Sequence, residues 1–245
     1  MNIRHFSLLA VLVFGLAATA ANAATRTRVA TDESGKQVKV NGSIVIIEPD
    51  IELSIVLAGG MNEPRKEWSD TARRLFPAAV HGQMQGKQSS LAPDYDIPDD
   101  LDPTSQLGQV IRLYDAVAMS IAYSTMPGSV LATKKDAKGK LRMDWSLGPG
   151  VSLLREQTGA DYALFTYIRD SYTSGGRAAL RVIGFLMTGG ADIGGGTQFG
   201  VTALVDLRTG QVVWHNMLAK QTGDLRTAEG AKATVRQLLN KIPVE

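Results

Sequence analysis

The chain has 245 residues, 44% hydrophobic and 20% charged, with a formal net charge of +2. That composition suits one large or two small folded domains and excludes a wholly disordered chain. With no cysteine, disulfide scaffolds, thiolate zinc sites, iron–sulfur clusters, cysteine nucleophiles and a cysteine-borne lipid are all excluded.

In chain order, Arg4 precedes an apolar run over residues 6–20 (FSLLAVLVFGLAATA), and Ala21-Asn22-Ala23 supplies the small residues of a cleavage site. The pattern predicts a secretory signal over 1–23, cut after Ala23. Its apolar core of 15 residues is short of the ~20 that span a bilayer. Loss of Arg4 leaves a net charge of +1, and the absence of any long basic run gives no reason to expect nucleic acid.

Residues 24–41 are polar and read as a flexible lead-in ending in a short strand. The β-branched run Ile44, Val45, Ile46, Ile47 predicts a buried strand, interrupted by Pro49 before a second strand from 51 to 57, with Gly59-Gly60 ending the pair. Trp68, Ala72, Leu75 and Phe76 predict a helix over 64–76, with Pro64 in its first turn and Pro77 to stop or kink it. An inserted Pro/Asp-rich loop near 79–104 follows, with one short strand near 89–92.

Thr104 or Ser105 caps the next helix, whose stripe is Leu107, Val110, Ile111, Tyr114, Val117, Ala118, Ile121 and Ala122. A short helix over 151–157 stops at Gly159. DYALFTYIRD is apolar on both alternating sets of residues, the mark of a central strand covered on both faces. Residues 199–206 and 211–218 form a hairpin closed by LRTG, with Gly210 in a left-handed position. Leu225, Ala228, Ala231, Val235, Leu238, Leu239 and Ile242 mark a C-terminal amphipathic helix. A four-residue link cannot join parallel strands, so the expected fold over 42–245 is a single α/β domain. Its mixed sheet is covered by helices, with the late antiparallel hairpin and the C-terminal helix.

LLREQTGADYALFTYIRD, with Gly159-Ala160-Asp161 at the turn, resembles the helix, turn and core strand of a superfamily of bacterial envelope proteins. VTALVDLRTGQVVWHN, with Asp206, Thr209-Gly210 and Trp214, is similar to its late hairpin. That superfamily includes the curli secretion channel subunit, the lipoprotein activators of penicillin-binding proteins and the N-terminal domain of the Tol-system β-propeller protein. The resemblance covers residues 43–47 and 151–242. It implies an α/β sandwich that binds or assembles with envelope partners, usually without catalysis. The chain departs from it in lacking a lipid-bearing cysteine and in carrying the 79–102 insertion.

Candidate sites are few. The stretch 178–187 carries only Arg181 as a charge, so its apolar residues Ile183, Phe185, Leu186 and Met187 are the candidate partner or membrane contact. Glycine-rich links flank it, and GGADIGGG reads as a flexible connector. In DSYTSGGR, the hydroxyls of Ser171, Thr173 and Ser174 with Arg177 form a candidate anion site, although neither nucleotide-loop spacing is present. Glu48 and Asp50, with Glu52 after them, are candidate carboxylates for glycan or peptide cleavage, but alternate with apolar Ile51 and Leu53 as on a half-solvated strand, which is the preferred reading. His81 and His215 read as structural, the aspartates of DYDIPDDLDP as a solvated turn, and nothing calls for a metal or cofactor. The expected function is that of an exported, non-enzymatic envelope protein of the periplasm, or outside the cell. It would bind an envelope protein or its own copies, with peripheral membrane contact in view. The alternatives are a periplasmic hydrolase and a small-ligand or anion carrier.

Overall fold

A computed structural model describes residues 24–244, apart from 33, 88, 127, 130, 137, 138, 140, 177, 179–195 and 222. The expected leader over 1–23, Arg177 and the apolar stretch from Ile183 to Met187 therefore lie outside the described residues.

The described residues form an α/β fold around one mixed sheet of seven strands. These are β1 (Ala24–Val29), β2 (Ile44–Ile46), β3 (Asp50–Val56), β4 (Asn62–Pro64), β5 (Tyr162–Thr173), β6 (Gln198–Asp206) and β7 (Val212–Lys220). The order across the sheet is β1-β7-β6-β5-β3-β4, with β2 also paired to β5. β2 and β3 run parallel to β5 and occupy successive lengths of the same edge, while the other ladders are antiparallel. Pro49 sits between them, where a missing N–H breaks the ladder at least cost.

Helices cover both faces, as the doubly apolar β5 requires. On one face α1 (Lys66–Met84) and α4 (Ala228–Leu238) pack Phe76, Val80, Val235 and Leu238 against Ile51, Leu53, Leu164 and Ile168. On the other, α2 (Gln106–Ser124) and α3 (Ser152–Thr158) pack Tyr114, Ile121 and Leu154 against Ala163, Phe165 and Val205. Tyr114 stacks on Phe165 with ring centroids 4.8 Å apart.

Two helices begin with the same device. In α2 the Ser105 hydroxyl accepts the Gly108 N–H at 3.1 Å and donates to the Asp102 carbonyl; in α4 Thr227 does the same between Gly230 and Asp224. Each satisfies one of the first-turn N–H groups that a helix leaves unpaired. Glycine is required at the fourth place because a Cβ would lie 2.3 Å from the Asp102 carbonyl oxygen at residue 108 and 1.8 Å from that of Asp224 at residue 230. Gly159, at φ 68°, ends α3 in the left-handed conformation.

Four expectations need correction. Pro77 does not stop α1, which continues to Met84 because Phe76, Ala79, Val80 and Met84 keep one buried face against the sheet. Pro64 closes β4, paired with Ser54, and the helix starts after it. The polar lead-in carries β1 at its start, held to β7 by pairs from Ala24 with Ala219 to Val29 with Trp214. The Pro/Asp-rich loop is shortened by α1 and tied to β2: Ala92 and Tyr95 donate their N–H groups to the Ile44 and Ile46 carbonyls, each at 2.9 Å.

Candidate functional site

The end of the sheet where β5 stops and β6 starts gathers Ser171, Thr173 and Ser174 of the candidate anion site. Asp170, Ser171 and Thr173 lie within β5, not in a turn after it, and β5 pairs with β3 as far as Thr173 with Val56. Ser171 is engaged in both directions, since its hydroxyl accepts the Thr197 N–H at 2.9 Å and donates to the Thr197 carbonyl at 3.2 Å. Thr173 Oγ1 accepts the Gly196 N–H at 2.9 Å, and the Ser174 N–H donates to Val56. A Cβ at Gly196 would lie 2.0 Å from the Ser171 carbonyl oxygen, so only glycine permits this closure. The hydroxyls read as anion ligands thus join residues 171–173 to 196–197 at the point where the intervening stretch leaves and rejoins the sheet.

Beneath this junction lies a buried polar network. Asp170 Oδ2 accepts from the Tyr172 hydroxyl and from Gln198 Nε2, both at 2.6 Å. Gln198 Oε1 accepts from Thr234 at 3.0 Å, and Lys220 Nζ donates to Thr234 and Gln237 of α4, each at 3.1 Å. Burial pushes the Asp170 carboxyl up, opposed by its two hydrogen bonds, and pushes the Lys220 ammonium down. Tyr172 is pushed up by burial and then by Asp170, so its phenol stays protonated as the donor. The Arg226 guanidinium, held by Asp224, covers the Tyr172 ring at 3.9 Å and the Trp68 ring at 4.7 Å. The network joins β5, β6, β7 and α4 through buried side chains. Sequence reasoning missed it; the available signal was a buried charge within each of two largely buried strands, Asp170 of β5 and Lys220 closing β7.

The paired carboxylates do not converge. Glu48 accepts the Ile97 N–H at 2.9 Å and lines a hollow of about 310 Å³ with Arg73, Arg74 and Pro77 of α1. Asp50 is in register with Tyr167, on the opposite face, where it takes a two-pronged ion pair from Arg169 at 2.9 and 2.8 Å. Cleavage of one glycosidic bond needs two carboxyls facing it, and the sheet separates these. Asp115 of α2 lies near this ion pair. Its carboxyl is pushed up to about 6 by burial and then by Asp50, against the pull of Arg169.

His81 pairs with Asp94 at 2.9 Å on the surface. His215 is fully buried on β7, with Nε2 donating to the Ala118 carbonyl at 3.1 Å, and burial pushes its value down to about 4. Asp102 accepts the backbone and side chain of Thr104 ahead of α2. Among the described residues no group of three or more histidine and carboxylate side chains is placed to hold a metal, and no helix is long and apolar enough to cross a membrane.

No family model matches the sequence, and no curated protein matches it. Solved structures similar to it include a variant PelC dodecamer from Paraburkholderia phytofirmans, 11% identical over 91% of this chain and 100% of that one, with a TM-score of 0.42. A second PelC dodecamer from that organism is 11% identical over 89% and 95% of the two chains, with a TM-score of 0.39. Lipoprotein GNA1162 from Neisseria meningitidis is 14% identical over 82% and 98%, with a TM-score of 0.30. These likenesses are coarse, and the site is described from its own residues.

Proposed function

We propose that this chain is an exported protein of the bacterial envelope that works by binding and assembly, not by catalysis, as a single α/β domain behind a cleaved leader. Its contact element is the apolar stretch with Ile183, Phe185, Leu186 and Met187, in the connection between β5 and β6. The observation that carries the reading is the junction at residues 171–173 and 196–197. It fixes both ends of that connection side by side at the rim of the sheet, on a buried network that anchors the rim to α4. The apolar sequence of that connection, flanked by glycines, has the composition of a surface that another molecule covers. The separation of Glu48 from Asp50 weighs against the hydrolase alternative. The anion-carrier alternative is weakened because the Ser171 and Thr173 hydroxyls are engaged by the backbone of residues 196–197.

The test is a double substitution, Phe185→Ser with Leu186→Ser, in the exported protein. The expected result is loss of a co-purifying envelope partner, or of a higher assembly, with an unchanged melting temperature. A protein that melts well below the parent would place these residues in the core and overturn the reading.

A further inference from the structure

A second surface stands out on α2, independent of the β5–β6 connection. Along its outer side Leu113, Met119 and Tyr123 are 42%, 41% and 62% exposed, and Met126 just beyond it is 38% exposed. Ala116 and Ser120 are exposed between them, and Arg112 is the one charged side chain in the stripe. Of the six large hydrophobic side chains exposed among the described residues, these are four. Isolated exposed apolar residues are ordinary, but a continuous stripe along a helix is a mark of contact.

We infer that this face docks against the same face of a second copy, the two α2 helices running antiparallel about a two-fold axis near residue 118. The sequence of the stripe is self-complementary under that operation. Leu113 meets Tyr123 of the partner subunit, and Ala116 meets the partner's Ser120, so the small side chains at the centre let the helices approach while the large ones fill the flanks. Arg112 of each copy comes beside the C-terminal turn of the other helix. That turn carries partial negative charge, has no basic residue of its own, and among the described residues receives one guanidinium, that of Arg26 on the Thr125 carbonyl from the sheet side. A nearly uncharged stripe offers nothing to an acidic or nucleic-acid partner, and antiparallel copies satisfy its one charge. The inference rests on α2 alone and stands whether or not residues 183–187 bind a partner.

Because the chain has no cysteine, introduced thiols report the contact directly. Met119→Cys lies close to the proposed axis and should give a two-chain band on mild oxidation; Gln109→Cys, on the same face but far from the axis, should not. Adding Leu113→Glu and Tyr123→Glu to Met119→Cys should abolish the band without lowering the melting temperature, since both residues are exposed. Equal cross-linking at 109 and 119, a band that survives the two glutamates, or no band from Met119→Cys would overturn the proposal. Vesicle binding by Met119→Cys without cross-linking, lost with the two glutamates, would overturn it in favour of a lipid surface.

Discussion

Gly230 shows how far a residue's role depends on its neighbours. Glycine inside a helix ordinarily costs about 1 kcal/mol relative to alanine, so Gly230→Ala read from the sequence alone should stabilise. Here the new Cβ would lie 1.8 Å from the Asp224 carbonyl oxygen, and the substitution is expected to destabilise by about 1–3 kcal/mol through displacement of the capping turn. Urea titration of the variant checks the sign. Two titratable groups give opposite pH slopes. His215 has a folded value of about 4 against an ordinary 6.5, so the unfolded chain takes up a proton that the native state refuses. Stability falls as pH drops from 6.5 toward 4, by up to about 3 kcal/mol. Asp115 has a folded value of about 6 against 3.8, so the native state holds a proton that the unfolded chain releases, and stability falls as pH rises from about 4 to about 6. Asp115→Asn should remove that second slope and stabilise by about 1 kcal/mol at neutral pH, the effect being reduced by solvent. Denaturation curves across pH 4–7 for parent and variant separate the two.

At the scale of elements, local pattern was a good guide where burial and local preference agree. β5 was legible because both of its alternating sets are apolar, α2 because Ser105 precedes a clean stripe, and the β6–β7 hairpin because Gly210 must adopt φ 75°. The failures share a cause, since each is a case of tertiary contact overruling a local rule. Pro77 forfeits the hydrogen bond to the Arg73 carbonyl, yet the helix gains more from burying Phe76, Val80 and Met84. Pro77→Ala should therefore stabilise by about 1–3 kcal/mol, whereas Phe76→Ala should cost about 3–5 kcal/mol. If Pro77→Ala were neutral or harmful in thermal unfolding, α1 would not be continuous as described. The network around Asp170 was illegible for a related reason, because it joins β5, β6, β7 and α4 over long sequence separations and no spacing within one segment encodes it.

For the whole molecule, a sheet covered by helices on both faces leaves its functional surface to the rims and the outer sides of the helices. The junction of residues 171–173 with 196–197 and the uncovered stripe of α2 are two such places, and neither brings acid, base and nucleophile to one point. A protein that works by binding must meet either its own copies or an envelope partner. The deciding experiment is the solution mass of residues 24–245 by light scattering, with and without lipid vesicles. A protein that works by binding should show a mass above that of one chain, or a shift onto vesicles. A single-chain mass indifferent to lipid, with no co-purifying protein, would contradict that mode of action.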